Sequence, residues 1–160
     1  MASKEVQQGR LPVTPIDSPP RHDATGSADA APPAIAPVCL VIDDAEVDRT
    51  MMRRVLMGLV PAPRILTAAS LAEARRMLDR HAVSIVFLDN MLPDGLGADF
   101  LREYRANPDW RRAPLVMVSD WPSPFMFAKA RAARVLAVWS KEDFTYARVT
   151  RVMRDHARAA

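Results

Sequence analysis

Asp43, Asp44, Asp89, Ser119 and Lys141 each stand where a short apolar run gives way to polar chain. The runs in question are 38–42, 85–88, 115–118 and 135–139. Three carboxylates gathered at one place repel one another and require a cation. Mg²⁺ suits oxygen ligands and keeps positions open for water and phosphate. A carboxylate is also a nucleophile that can accept a phosphoryl group. The oxygens of such a group need positive charge and a hydroxyl donor, which Lys141 and Ser119 supply. Asp89 is the expected acceptor. The run Ile85-Val86-Phe87-Leu88 delivers it, and turn residues Pro93, Asp94, Gly95 and Gly97 follow at once. One Asp at the end of a strand is commonplace. A matched set at the ends of four strands is not.

That chemistry works only if the strand ends share one edge. Apolar runs of four or five residues bounded by turn residues read as fully buried parallel strands. Between them lie helical patterns. Val47, Met51, Val55 and Leu59 recur every fourth residue and predict the inner face of a first helix, ended by Pro61 and Pro63. Residues 64–69 form a poorer strand, expected at a sheet edge. Ser70 and Glu73 make a capping-box signature for a second helix, with Leu71, Ala74, Met77 and Leu78 inward. A third helix is expected over 98–106, packed through Phe100, Leu101 and Tyr104. Ser123 and Pro124 open a fourth, running to Arg134, and a fifth is expected over 142–157. Strand and helix alternate five times, which predicts an α/β fold with a parallel sheet covered by helices on both faces. In such sheets ligands sit at the carboxyl ends of the strands, so the five named residues converge.

Composition sets the frame. A chain of 160 residues holds one domain with an adequate core. The formal net charge of +3 is too mild to indicate nucleic acid. Cys39, the single cysteine, sits inside an apolar strand and reads as a small buried hydrophobe rather than a reactive thiol. The first residues carry no apolar signal segment, and no run approaches the ~20 residues that span a bilayer. A cytoplasmic protein without membrane insertion is expected. Residues 1–36 differ in kind, with six prolines set among Ser, Thr, Asp and Ala. So little apolar area cannot offset the entropy of ordering, so a flexible, Pro/Ala-rich tail is expected there and a folded domain over 37–160.

The acidic pair Asp43-Asp44, the run D-x-x-L-P-D-G from Asp89, Ser119 and Lys141 together resemble the receiver domain of two-component response regulators. The resemblance implies a flavodoxin-like, doubly wound five-stranded parallel sheet in the order 2-1-3-4-5. It implies phosphorylation of Asp89 by a sensor histidine kinase or a histidine phosphotransfer protein. It implies Mg²⁺ held by Asp43, Asp44, Asp89 and the backbone carbonyl of Met91, with Ser119 and Lys141 on the phosphoryl oxygens. A downstream protein would read the face made by helix 4, strand 5 and helix 5. Since only a few residues follow the fifth helix, a stand-alone module is expected. It would signal by protein contact, or act as a phosphate shuttle or sink, and would not be an enzyme. Three positions depart from the family pattern: Asp120 where a small residue is usual, Val138 with Trp139 where an aromatic is expected one place earlier, and Glu142 in place of a common proline.

Other readings fare worse. A degenerate receiver serving as a phosphorylation-independent interaction module is the main alternative, motivated by Asp120. An aspartate-based phosphatase needs a second acid two residues after its nucleophile, where this chain has Met91. No G-x-G-x-x-G or P-loop supports a nucleotide-binding domain.

Overall fold

A computed structural model describes residues 36–157. The expected tail lies outside the described residues, apart from Ala36. Five strands form one parallel sheet: β1 (Val38–Ile42), β2 (Arg64–Ala68), β3 (Ile85–Leu88), β4 (Leu115–Ser119) and β5 (Ala137–Ser140). Their spatial order is 2-1-3-4-5. The helices are α1 (Glu46–Met57), α2 (Leu71–Arg80), α3 (Gly97–Ala106), α4 (Pro124–Ala132) and α5 (Tyr146–His156). This is the doubly wound flavodoxin-like arrangement.

Alternation along each strand divides the core in two. Leu40, Ile42, Val86, Leu88 and Met117 face α2, α3 and α4. Cys39, Val41, Ile85, Phe87, Val116 and Val118 face α1 and α5. The three central strands are buried on both faces, which is why they read as unbroken apolar runs. β2 lies at the edge, as its mixed composition predicts. Burial pushes the Cys39 thiol up to about 12, so it is inert packing.

Several local expectations shift. In α1 the buried residues are Met52 and Leu56, while Val47 is exposed. Met51 and Val55 pack partly buried against the same core and Leu59 is buried, so of the expected stripe only Val47 lies off the inner face. Ser70 caps α2 by accepting from the Glu73 amide at 3.1 Å, but the Glu73 carboxylate reaches the Ala69 amide, not that of Ser70. Arg134 adopts a left-handed φ of 53°, and α4 has already ended at Ala132. α5 starts at Tyr146 rather than Glu142. A single 3₁₀ turn, Lys141–Asp143, intervenes, closed by reciprocal bonds between Ser140 and Asp143, and Thr145 then caps the helix.

Candidate active site at the strand tips

The acidic pair is set by the turn between β1 and α1. Asp43 is fully buried, and its Oδ1 accepts from the Ala45 amide at 2.8 Å. The Arg49 guanidinium, one turn into α1, donates to the carbonyls of Asp43 at 2.7 Å and Asp44 at 2.8 Å. This staple fixes the backbone that presents both carboxylates. Asp44 itself is exposed.

Asp89 leaves β3 with its amide bonded to the Ile42 carbonyl at 2.8 Å, which ties the two strand tips together. Only 4% of its surface is accessible. The residues after it are anchored at both ends. The Asn90 side-chain oxygen accepts from the Ala98 amide at 3.0 Å, filling a vacant position at the start of α3. Asp94 accepts from the amides of Leu71 and Ala72, both at 2.8 Å, and so covers the start of α2. Gly97 packs directly on the Asp89 backbone. A β-carbon there would stand 2.2 Å from the Asp89 carbonyl oxygen, which no side chain tolerates. Met91 lies in a two-residue hairpin strand, Met91–Leu92 paired with Gly95–Leu96.

One oxygen from each of Asp43, Asp44 and Asp89 lies within 4.8 Å of the other two. Asp43 Oδ2 is buried without a well-aligned hydrogen-bond donor among the described residues, although Lys141 Nζ is 3.0 Å away. A crowded set of hard oxygens with one poorly satisfied member suits a small divalent cation. Burial, and then the neighbouring Asp43 charge, push the Asp89 carboxyl up to about 6. Burial likewise raises Asp43. In both, burial outweighs the lowering effect of the nearby Lys141 ammonium.

Lys141 enters the same pocket from the end of β5. Its side chain is 9% exposed. The ammonium is hydrogen-bonded to Asp48 on α1, 3.1 Å from Asp120 Oδ2 and 4.0 Å from Asp89 Oδ2. Burial alone would lower this amine, but the hydrogen bond to Asp48 and the adjacent Asp43 carboxylate outweigh it and hold it above the ordinary lysine value. Ser119 ends β4, next to β3, and is buried. The arrangement therefore brings Asp43, Asp44, Asp89 and Lys141 into contact range and sets Ser119 on the same edge. Asp48 and Arg49 were not singled out from sequence. Their only signal is position, one turn into the helix that follows the acidic pair.

The model of the response regulator receiver domain matches residues 39–146. The chain belongs to that family. Among curated relatives, this receiver domain is 33% identical over 86 residues to the two-component response regulator ORR12 of Oryza sativa subsp. japonica, covering 53% of this chain and 69% of that protein. It is 38% identical over 69 residues to the transcriptional regulatory protein DpiA of Escherichia coli K12. That match covers 42% of this chain and only 30% of DpiA's own length. Among solved structures, it resembles the phosphorylated cyanobacterial phytochrome response regulator RcpA, with TM-score 0.67, 16% identity and coverage of 76% of this chain and 94% of that one. It also resembles the receiver domain of the sensor histidine kinase PA1611 from Pseudomonas aeruginosa, described with magnesium in the active-site cleft. There the TM-score is 0.66, the identity 21% and the coverage 76% of this chain and 97% of that one.

The positions that depart from the family pattern also have a place. Val138 faces the α2–α3–α4 layer and Trp139 the opposite one, where it packs against Phe87 and Phe144 with ring centroids 6.4 and 6.2 Å away. The aromatic has moved to the other side of the sheet. In the sequence Arg151, Arg154 and Arg158 fall on one face of the last helix, a row expected to be solvated; Arg151 and Arg154 are exposed and both approach Asp155, at 3.9 and 2.9 Å. Arg158 lies outside the described residues. No helix among the described residues is long and apolar enough to cross a membrane.

Proposed function

We propose that this receiver accepts a phosphoryl group on Asp89 from a phosphohistidine of a sensor kinase or phosphotransfer protein, in a Mg²⁺-dependent step. The observation that carries the reading is the buried Asp89 carboxylate, within 4.8 Å of Asp43 and Asp44 oxygens and 4.0 Å from the Lys141 ammonium. Asp89 attacks phosphorus, an O–P bond forms, the P–N bond breaks, and the histidine leaves as imidazole carrying a proton. Asp43, Asp44, Asp89 and the Met91 carbonyl are the groups that would hold the metal, which when bound neutralises charge on the transferring phosphoryl oxygens. Lys141 and Ser119 contribute the remaining positive charge and a hydroxyl donor. Turnover of an external substrate is not part of this reading, which describes a cytoplasmic signalling module.

The test is intact-mass spectrometry after incubation with acetyl phosphate. Phosphoryl mass added with Mg²⁺ and absent with excess chelator supports the reading. No addition under either condition contradicts it.

The output is read by contact. Phe125 and Phe127 on α4 and Tyr146 at the start of α5 are about half exposed, a costly display of aromatic surface unless a partner covers it. The same surface favours the second reading, an interaction module indifferent to phosphorylation. Pull-downs with and without beryllofluoride separate the two, because the second predicts the same captured partner in both.

A further inference from the structure

The surroundings of Lys141 hold more carboxylate than phosphoryl transfer asks for. An ammonium has three N–H groups. Oxygens of three aspartates, Asp43, Asp48 and Asp120, stand within 3.1 Å of Nζ. Only Asp48 takes a well-aligned hydrogen bond, Asp43 and Asp120 crowd the ammonium as ion partners, and Asp89 is left outside at 4.0 Å. A phosphoryl oxygen on Asp89 must compete with these three carboxylates for the ammonium. They are not equally replaceable. Asp43 is fully buried and faces the metal position. The Asp48 side chain is 25% exposed and fixed on α1, where it takes the well-aligned hydrogen bond. The Asp120 side chain is 60% exposed, follows the last residue of β4 and loses little by returning to water.

We infer that Asp120 is a built-in competitor for Lys141, holding by ion pairing the place beside the ammonium that a phosphoryl group on Asp89 takes over. The inference rests on the reading of Asp89 as acceptor and adds a regulatory element to it. In the unloaded state the ion pair ties the β4–α4 loop to the start of the 3₁₀ turn. Loading and the Asp120–Lys141 pair exclude each other, so phosphorylation frees that loop, together with Trp121, which is 88% exposed beside Asp120. Asp120 is thus a positioning residue that acts through the lysine, not a group that meets the phosphodonor.

The test is beryllofluoride affinity at saturating Mg²⁺, followed by tryptophan fluorescence on the full chain. Wild type, Asp120→Ala, Lys141→Met and the double variant form a cycle. Competition predicts that Asp120→Ala tightens binding by about two- to fivefold, the range for a largely exposed ion pair, and does nothing in the Lys141→Met background. An equal gain in both backgrounds assigns Asp120 to direct repulsion of the anion and overturns the inference, as does no gain at all. Asp120→Asn gives an arm that does not need the lysine variant to bind. Its amide oxygen keeps a dipole beside Lys141, so competition predicts a smaller gain than for Asp120→Ala, whereas repulsion predicts an equal one. Wild type that binds no beryllofluoride sinks the phospho-acceptor reading itself. Wild type that binds, with equal gains, sinks only the competition.

Discussion

Two sets of aspartates in this molecule show how one side chain is put to opposite uses. Asp94, in an exposed turn, and Asp143, half-buried at the end of the 3₁₀ turn, accept hydrogen bonds from backbone amides or a hydroxyl. Those bonds hold both carboxyls below the usual range, so the charged form is favoured and the aspartate stabilises the fold. Asp43 and Asp89 lie at buried strand tips, crowded together, and burial holds both above it. There the charged form is disfavoured and stability is sacrificed for a site that seeks a cation. The difference lies in what surrounds each carboxylate, not in the residue. A helix start offers donors, whereas a strand tip between two helical layers offers few.

The sharpest way to break this contrast is to neutralise one member of each set. Asp89→Asn should abolish phosphoryl loading outright and raise the melting temperature of the metal-free protein, since a strained charge is removed. A lower melting temperature would show that Asp89 stabilises the fold as the loop aspartates do. Gly97→Ala comes next. Its β-carbon meets the Asp89 backbone, so we expect a loss of about 1–3 kcal/mol in urea unfolding, together with slower loading.

pH sharpens the comparison further. The folded Asp89 carboxyl is raised to about 6 from an ordinary 3.8, so the metal-free fold binds its proton more tightly than the unfolded chain does. Metal-free stability should therefore rise as pH falls from 7 through 6 towards 4, where loop aspartates contribute the opposite slope. Mg²⁺ competes with that proton, so its apparent affinity should fall by roughly tenfold per unit below the Asp89 value, as seen by titration calorimetry. The smallest effect belongs to Asp94→Ala. Losing the bonds to the start of α2 should cost about 1 kcal/mol by thermal unfolding and leave loading nearly unchanged.

Much of this was legible in the sequence, for identifiable reasons. Buried strands write themselves as apolar runs, and turn residues mark their ends, so the sheet and its polar tips could be read in order. Ser123 caps α4 by accepting from Met126 at 3.3 Å, as its place before Pro124 predicts, because capping is local. The partners of Lys141 were not legible. Asp48 is 93 residues away and meets it only because α1 begins and β5 ends at this edge. Asp120 was recognised as an extra charge, but not as one neutralised by Lys141. The start of α5 was misjudged because Ser140 and Asp143 form a separate turn that continuous helical spacing hides.

The central claim is that converging strand tips make Asp89 a metal-dependent phosphoryl acceptor. Its most direct test is to treat the protein with acetyl phosphate and Mg²⁺, reduce it with borohydride and map the peptides. An acyl phosphate is reduced to homoserine, so the account predicts homoserine at position 89 alone, and none when Mg²⁺ is withheld. Homoserine at Asp43, Asp44 or Asp120 instead, or labelling that ignores the metal, would contradict it.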